Sequence, residues 1–351
     1  MAVVNALKIN DTLGYVISDE EYWSARGLRR TYHSDNLHLL LDPGLADIIG
    51  MNVVLGFVGS PTFGMELVEV IKQELAHREK EKKGEFPKQV QDIAHLANRL
   101  CAKLVKEKVN QRLAYMFGFD LDELNQGFFK SKDKQYTIKQ SDVLKHALQI
   151  INRKDAQSSI KDIIKTEILF MGYDGTDGMN IFSIAPEEGV LIPAASIFES
   201  IGIGADVSNL IFAGYLNKIP LSRRREGIDP IEGLLQTFWS VNEAGTYNHQ
   251  VGGYCHLGII DKSRKKPEQR VRMFAGHKAK LGSDAVKAFK MDLLDHASTC
   301  KILQGLFFED MEFAAGEDML FKKCRNSKQL DYMLRGYKSE PALAANKGGN
   351  A

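Results

Sequence analysis

The residues able to do chemistry are scattered along this chain and form no complete motif. Its nine histidines include His249 and His256, yet no HExxH pattern occurs, so no metal site is expected. The four cysteines, at positions 101, 255, 300 and 324, are far apart and lack CxxC spacing, which indicates neither a disulfide scaffold nor a zinc site. A GxGxxG-like pattern fails at Val207, and no GxxxxGK[ST] loop is present. No cofactor is therefore expected.

Three single residues remain as candidates, and each has a structural alternative. Asp19 directly follows an apolar run and belongs either to a site or to a turn that it caps. Gly59 stands before a helix, where a positive φ or a tight helix entry explains a glycine equally well. His38, among the leucines of NLHLLL, is a cation, a base or a hydrogen-bonded strand residue. Other residues either line the same site or pack closely and cap helices: Asp206, Gly252 and Gly253.

Composition narrows the function classes before any motif is considered. The 351 residues make one large or two ordinary domains, and 44% hydrophobic residues are enough for a full core. Lys and Arg number 46 against 45 Asp and Glu, so the net charge of +1 gives no general attraction to nucleic acid or to anionic membranes. MAVVNALKIND lacks a basic segment followed by an unbroken apolar run, so we expect no signal peptide there. No apolar stretch approaches the roughly 18 residues of a membrane span. We expect a cytoplasmic protein with no nucleic-acid or membrane partner.

Dense basic segments are confined to two places, at 223–225 and 262–266. Each either binds an acidic partner or forms a solvated loop.

Hydrophobic periodicity predicts the elements that must position these residues. VVNALKI and LGYVIS flank Asn10-Asp11 and predict a hairpin. Ser60 or Thr62 is expected to cap a helix whose apolar residues recur at helical spacing. The other expected elements are a loop at 20–35, strands at 36–41 and 51–59, helices at 90–113 and 140–151, a hairpin from Glu167 to Pro193, a strand, bend and helix from 196 to 219, a helix beginning at Asp229-Pro230, a strand at 251–261, and mostly helix from about 272 to Leu334.

This order of elements predicts an α+β fold, with two sheets and helices packed outside them. We expect one domain over 1–261, interrupted by an insertion at about 115–165. A C-terminal helical extension over 262–338 and a flexible tail over 339–351 would follow. Apolar residues at helical spacing within 285–334 pack either on their own domain or on a neighbouring subunit.

Five segments in the same order carry a resemblance to a known family. They are ALKINDTLGYVISD, GFVGSPTFGMELVEVIKQEL, ILFMGYDGTDGMNIFSIAPEEGVLIP, FESIGIGADVSNLIFAGYL and VGGYCHLGIID. In these segments the chain resembles the proteasome-type N-terminal nucleophile (Ntn) hydrolases, and in particular proteasome β subunits, over roughly 2–113 and 166–261. The resemblance implies a four-layer α-β-β-α sandwich of two mainly antiparallel sheets between helical layers.

The resemblance also implies a site and a reaction. In that family an N-terminal Thr, less often Ser or Cys, attacks a peptide carbonyl while its free α-amine acts as the base. An aspartate after the second strand and a lysine near the third strand set charge and position, and a glycine turn offers a backbone N–H to the oxyanion. Asp19 matches the aspartate, and Gly59 with Ser60 matches the glycine turn.

The sequence departs from that pattern at two of three key groups. The nucleophile is expected near Ala2 or Val3, and removal of Met1 would leave Ala2 with an amine but no hydroxyl. The lysine is expected near 36–38, where none occurs, and His38 is the possible substitute. These departures favour a protein with a degenerate active site.

Three functions stay open at this stage. The first is a self-assembling, non-catalytic ring or scaffold subunit, whose partners are copies of itself or related ring subunits. The second is an active Ntn-type peptidase or amidohydrolase in protein degradation, acting on a peptide or protein after processing exposes Thr12 or Thr31. The third is a small-molecule binding protein that uses the cleft between the two sheets.

Overall fold

The computed structural model describes residues 2–23, 30–32, 36–81, 86–131, 134–138, 141–151, 166–185 and 189–334. Its strands are β1 (Val3–Lys8), β2 (Leu13–Asp19), β3 (Glu21–Trp23), β4 (Arg30–Tyr32), β5 (Leu37–Leu39), β6 (Asn52–Val58), β7 (Phe128–Ser131), β8 (Lys134–Thr137), β9 (Glu167–Asp174), β10 (Gly178–Ala185), β11 (Val190–Pro193), β12 (Phe198–Gly202), β13 (Cys255–Asp261) and β14 (Val271–Phe274). Its helices are α1 (Pro43–Ile49), α2 (Pro61–Glu81), α3 (Val90–Phe117), α4 (Leu121–Gln126), α5 (Ser141–Ile151), α6 (Ala205–Leu216), α7 (Leu221–Glu226), α8 (Pro230–Tyr247), α9 (Gly276–Lys290), α10 (His296–Phe308), α11 (Phe313–Lys323) and α12 (Ser327–Met333).

The first sheet has five strands in the order β12-β1-β2-β13-β14, all pairing antiparallel. The hairpin of β1 and β2 closes where the Asn10 side chain accepts from the backbone N–H groups of Thr12 and Leu13, at 2.8 and 2.9 Å. An asparagine that binds its own backbone in this way favours a turn. β1 is hydrogen-bonded on both edges, so it is an interior strand of the sheet.

The second sheet also has five strands, in the order β11-β10-β9-β6-β5, and is likewise antiparallel. Every residue of β6 is buried, as expected for a strand covered on both faces. The hairpin of β9 and β10 is fixed by Asp174, whose carboxylate accepts from the backbone N–H groups of Thr176 and Asp177. Gly178 completes the turn at a φ of 74°, which a glycine adopts without strain.

Three apolar clusters hold the described residues together. One joins side chains of both sheets, and its members include Val4, Ala6, Val16, Val54 and Met171. A second joins the first sheet to the helices that follow it in the chain, α6 and α8 to α12. A third joins the second sheet to α1 to α5. These clusters follow the alternation of strands, which sends successive side chains to opposite faces.

The predicted α+β class and the two antiparallel sheets are confirmed. The predicted hairpins and most strands and helices are present with bounds that shift by a few residues. Ser60, rather than Thr62, stands at the start of α2, because its hydroxyl accepts from the Phe63 N–H at 3.4 Å.

Several elements differ from the sequence-based expectation. The segment after Asp42 is the helix α1. The Asp42 carboxylate accepts from the Leu45 N–H and so caps the helix, and Pro43 occupies its first turn. Small two-stranded sheets, β3-β4 and β7-β8, occur in the expected loop and insertion. Beyond 262 the chain is not only helical, since β14 extends the first sheet. The proposed tail at 339–351 and the part of the insertion at 152–165 lie outside the described residues.

Among the described residues, no helix combines the length and the apolar character needed to cross a membrane.

Candidate functional site

Asp19 lies at the end of β2, almost fully buried, with both of its carboxylate oxygens bound by backbone groups. Oδ1 accepts from the Val3 N–H at 2.8 Å, and Oδ2 accepts from the Gly252 N–H at 2.9 Å. The carboxylate thus ties the start of β1 to the segment before β13. Charge-assisted bonds of this kind are shorter and stronger than neutral ones, so Asp19 has a structural role whatever else it does.

The strand positions beside Asp19 carry no nucleophile. Val4 pairs with Ser18 in the β1-β2 ladder, so the residues that continue β1 toward Asp19 are Val3 and Ala2. The Ala2 side chain belongs to the cluster between the sheets, whereas that of Val3 belongs to the helix-facing cluster. Neither side chain offers a hydroxyl, thiol or amine. This is the position where the resemblance implies the nucleophile.

Ser18 precedes Asp19 in β2 and carries a hydroxyl that the sequence analysis did not single out. It is two residues from Val16 on the same strand, so its side chain faces the space between the sheets. Its oxygen is fully buried and has no hydrogen-bond partner among the described residues. Burial between two sheets keeps this hydroxyl from any substrate.

The end of β12 packs directly against the start of β1. Gly202 has a φ of 93°, and a Cβ on it would lie 2.1 Å from the Ala2 carbonyl oxygen and 3.2 Å from Val58 Cγ1. Its N–H donates to Oε2 of Glu167 at 2.7 Å. Only glycine fits this backbone conformation and this close approach. The structure therefore brings Ala2 together with the β12 bend and the end of β6.

Gly59 follows β6 directly and has a φ of 115°, a conformation that favours glycine. The backbone N–H of the next residue, Ser60, donates to Oγ1 of Thr166 at 3.0 Å. The turn therefore has the expected glycine geometry. One of its two N–H groups is already bound to the chain's own hydroxyl. An oxyanion at Ser60 would have to displace that bond.

Residues 36–38 occupy the place of the expected lysine, and they point in different directions. Nδ2 of Asn36 donates to the backbone carbonyl of Asp19 at 2.9 Å. Leu37 belongs to the cluster between the sheets. His38 stacks on Phe57, with ring centroids 5.5 Å apart, and Phe57 belongs to the cluster on the helix side of the second sheet. The structure thus places Asn36, and not His38, against Asp19.

A buried acid–base pair that the sequence did not predict adjoins Asp19. Oε1 of Glu20 lies 2.5 Å from Nε2 of His256, and both side chains are buried. The Glu20 N–H donates to the Tyr254 carbonyl at 2.9 Å. Glu20 and His256 are 236 positions apart, so no spacing in the sequence could have paired them.

Cys255 pairs with Asp19 in the sheet register, which raises the question of whether its thiol could serve as a nucleophile. Complete burial raises the pKa of the Cys255 thiol to about 12, although Lys287 and Lys280 act in the opposite direction. The thiol is therefore protonated at neutral pH, and it lies 3.5 Å from the Ala279 carbonyl that it donates to. Nucleophilic thiols have lowered pKa values and some exposure, and Cys255 has neither.

The remaining candidates are placed as follows. Gly252 contributes its N–H to Asp19, and Gly253 adopts a φ of 77°. Asp206 lies in the first turn of α6, where a negative charge favours the helix dipole. Thr12 lies in the β1-β2 turn, at the opposite end of β2 from Asp19, and its hydroxyl donates to Asn10. The backbone of Thr31 forms part of β4.

Comparisons with known proteins add little to this geometry. No model of a known protein family matches the chain. No curated protein matches it either. Among solved structures, the chain is similar to a Gly-1 mutant of Anbu from Hyphomicrobium sp. strain MC1, at 14% identity and a TM-score of 0.48. The match covers 78% of this chain and 86% of that one. A likeness at this level assigns no residue role, so the site rests on its own contacts.

Proposed function

We propose that the chain is a proteasome-like protein with a degenerate Ntn-type site, which serves as a self-assembling, non-catalytic ring or scaffold subunit. The observation that carries this proposal is that Ala2 and Val3 occupy the strand positions beside Asp19 and provide no nucleophile. Acyl transfer of this type needs an attacking hydroxyl or thiol, which no backbone group replaces.

Four further hydrogen bonds support loss of catalysis. Both oxygens of Asp19 are bound by backbone N–H groups, and Asn36 stands against Asp19 where the resemblance implies a lysine. The Ser60 N–H is bound to Thr166. The groups that would orient a nucleophile and stabilise an oxyanion are instead bound by other parts of the chain. A site of this kind holds strands together.

The proposal extends to the arrangement of layers. We infer a four-layer α-β-β-α sandwich, because one cluster joins the two sheets and a separate helical cluster adjoins each sheet. Residues 1–261 would form this sandwich, with the insertion at about 115–165 and the segment 262–338 as additions.

Large apolar side chains on outer helices, Leu210 of α6 and Tyr247 of α8, are mostly exposed and would lie in subunit contacts. We place the protein in the cytoplasm.

Native mass spectrometry tests the assembly, combined with the subunit mass after denaturation and a peptidase assay on the same sample. We expect a closed ring of subunits that begin at Ala2, with no turnover of peptide substrates. Protein that stays monomeric at every concentration would contradict the scaffold role. A shorter subunit that begins at Thr, Ser or Cys and cleaves peptides would instead establish the peptidase.

An Ala2→Thr variant tests whether only the nucleophile is missing. We expect correctly processed and assembled Ala2→Thr protein to show no peptidase turnover, because the lysine position is also changed and Asp19 is fully hydrogen-bonded. Ala2→Val serves as the matched control, since it changes the side chain without adding a hydroxyl. Turnover in Ala2→Thr but not in Ala2→Val would indicate a latent active site.

The other two functions find less support in the geometry. Cutting before Thr12 would remove β1, an interior strand that pairs with both β12 and β2. The space between the sheets is occupied by a buried apolar cluster drawn from both of them. Neither observation favours an exposed threonine or a ligand cleft at this place.

A further inference from the structure

A second group of side chains that could do chemistry lies far from Asp19 in the sequence. It is on two of the helices that pack against the first sheet, α8 and α10. Glu232 is in the first turn of α8, and His296 and Cys300 are one turn apart at the start of α10. Their ligand atoms all lie within 4.8 Å of one another. We call Glu232, His296 and Cys300 the three-ligand cluster.

One distance within the three-ligand cluster matches that of a metal coordination sphere, and a second is shorter by about 0.5 Å. Nε2 of His296 lies 2.8 Å from Oε2 of Glu232 and 3.6 Å from Sγ of Cys300. Zn–S and Zn–N bonds of about 2.3 and 2.0 Å at a tetrahedral angle place sulfur and nitrogen about 3.5 Å apart. The sulfur and nitrogen are therefore already at ligand spacing. The glutamate oxygen has to move outward by about 0.5 Å to reach the same geometry.

Two carboxylates lie at the start of α8 beside the cluster. Asp229 caps the helix and accepts from the Glu232 N–H at 2.8 Å, so it adds a second negative charge next to the ligand Glu232. The cluster is built on two helices, and the His296 ring is held edge-on by Phe289 at 5.6 Å between centroids.

We propose that Glu232, His296 and Cys300 form a binding site for a divalent transition-metal ion of the zinc class. A thiolate, an imidazole and a carboxylate make a mixed S/N/O ligand set that suits zinc and not magnesium or calcium. Three protein ligands leave a fourth tetrahedral position for water. The side chain of His296 is 53% exposed, so an ion can enter from solvent.

Binding has a defined chemical balance and a structural consequence. Cys300 binds as a thiolate, so its proton passes to solvent as the sulfur–metal bond forms. His296 binds through Nε2, so the proton that this nitrogen donates to Glu232 leaves to solvent, and Nδ1 carries the proton of the neutral imidazole in the metal-bound state. The ion would then link α8 to α10 and so fasten the C-terminal helices onto the helix that covers the first sheet. The sequence predicted no metal site, because Glu232 and His296 are 64 positions apart and only the His296–Cys300 spacing is local.

Cobalt titration of untagged, chelator-treated full-length protein tests the site, with Co²⁺ as the spectroscopic probe. We expect saturation at one equivalent, with the near-ultraviolet band of a cobalt–thiolate bond and the visible bands of a tetrahedral ion. Zn²⁺ should displace the cobalt. Zn²⁺ at about 100 times its Kd should stabilise the protein by about 2.7 kcal/mol, measured as a higher Tm.

Variants distinguish this site from other thiols. Cys300→Ser should abolish the near-ultraviolet band, and His296→Ala and Glu232→Gln should each weaken binding at least about tenfold. Cys324→Ser is the matched control, because Cys324 is also a partly buried free thiol but lies outside the cluster. Circular dichroism verifies that each variant folds. Absence of saturable binding, a band that persists in Cys300→Ser, or a band lost in Cys324→Ser would overturn the proposal.

Discussion

The Asp19 site and the three-ligand cluster both gather polar side chains, but they differ in what those side chains bind. Asp19 is buried, and each of its carboxylate oxygens is already bound by a backbone N–H group. The three-ligand cluster is partly exposed, and its side chains contact one another. Exchange of a contact for a metal ion costs little in the three-ligand cluster. Loss of the Asp19 contacts would instead leave buried N–H groups unpaired.

This difference shows that a likeness to an active site is a poor guide to where chemistry remains. Asp19 was singled out by the resemblance, yet its carboxylate binds backbone groups of two segments and holds them together. The three-ligand cluster occupies no expected place, yet its ligand atoms all lie within 4.8 Å of one another. Variants in the two regions should therefore behave differently, and the largest effects should fall at the Asp19 site.

Substitution of Gly202 should have the largest effect on stability. Gly202→Ala places a Cβ 2.1 Å from the Ala2 carbonyl oxygen, at a φ of 93° that alanine rarely adopts. We expect a loss of about 4 kcal/mol in the free energy of unfolding, from the combined strain and steric overlap. Urea unfolding measures this loss.

Gly214→Ala is the matched control for Gly202→Ala. Gly214 lies inside α6, and a methyl group added there would have no neighbouring atom within 4 Å. Alanine at this position should stabilise the protein by about 0.5 to 1 kcal/mol, because it restricts the unfolded chain and favours the helix. Equal unfolding midpoints for the two variants would contradict close packing at the start of β1.

Asp19→Ala should have the next largest effect. The substitution leaves the N–H groups of Val3 and Gly252 without their acceptor in a buried place. We expect a loss of about 3 kcal/mol in the free energy of unfolding. Asp11→Ala is the control, since Asp11 is exposed and pairs with Lys8 at the surface, where an ion pair contributes under about 1 kcal/mol. A loss no greater than in Asp11→Ala would mean that Asp19 does not fasten the strands.

The two regions also differed in how much the sequence could predict. The hairpin at Asn10, the bend at Gly202 and the helix start at Asp229 depend on local chemistry, and each was predicted from neighbouring residues. Asp19 and Gly59 were found because a strand end and a glycine turn leave a local pattern. The contact of Asp19 with Gly252 and that of Ser60 with Thr166 were not predicted, because each joins residues more than 100 positions apart in the chain.

Contacts between distant segments explain the remaining omissions. The pairing of Glu20 with His256 and of Glu232 with His296 depends on how helices and strands pack, and no period in the sequence encodes it. The orientation of His38 follows from strand register, which sends it away from the inter-sheet space and onto Phe57. A shift of one residue in that register would have reversed its direction.

The two regions each contain a cysteine, and the alkylation rates of these two thiols can be compared. The Cys255 thiol beside Asp19 has a pKa raised to about 12 by burial, and the half-buried Cys300 thiol has a pKa raised to about 11. The half-buried Cys300 thiol should therefore react faster than the buried Cys255 thiol. We expect Cys300 to be alkylated faster than Cys255 in metal-free protein, as measured by peptide mass mapping. Equal rates would indicate local opening around Cys255.

The raised pKa of Cys255 also sets a pH dependence. The folded state holds this proton more tightly than the unfolded chain, whose thiol titrates near 9.0. Its contribution to stability is therefore complete below that pH and is lost as the pH rises toward about 12. Cys255→Ala should remove this part of the decline in the urea midpoint at alkaline pH. An unchanged decline would assign it to other groups.

The smallest effect should come from the three-ligand cluster when no metal is bound. His296→Ala removes a partly exposed pair with Glu232 at 2.8 Å, and such a pair contributes under about 1 kcal/mol. We expect metal-free His296→Ala to unfold within about 0.5 kcal/mol of the unsubstituted protein. Urea unfolding with and without Zn²⁺ separates the two contributions, because His296→Ala should gain less stability from the ion than the unsubstituted protein. A large loss without metal would show that His296, like Asp19, binds its own chain too tightly to exchange ligands.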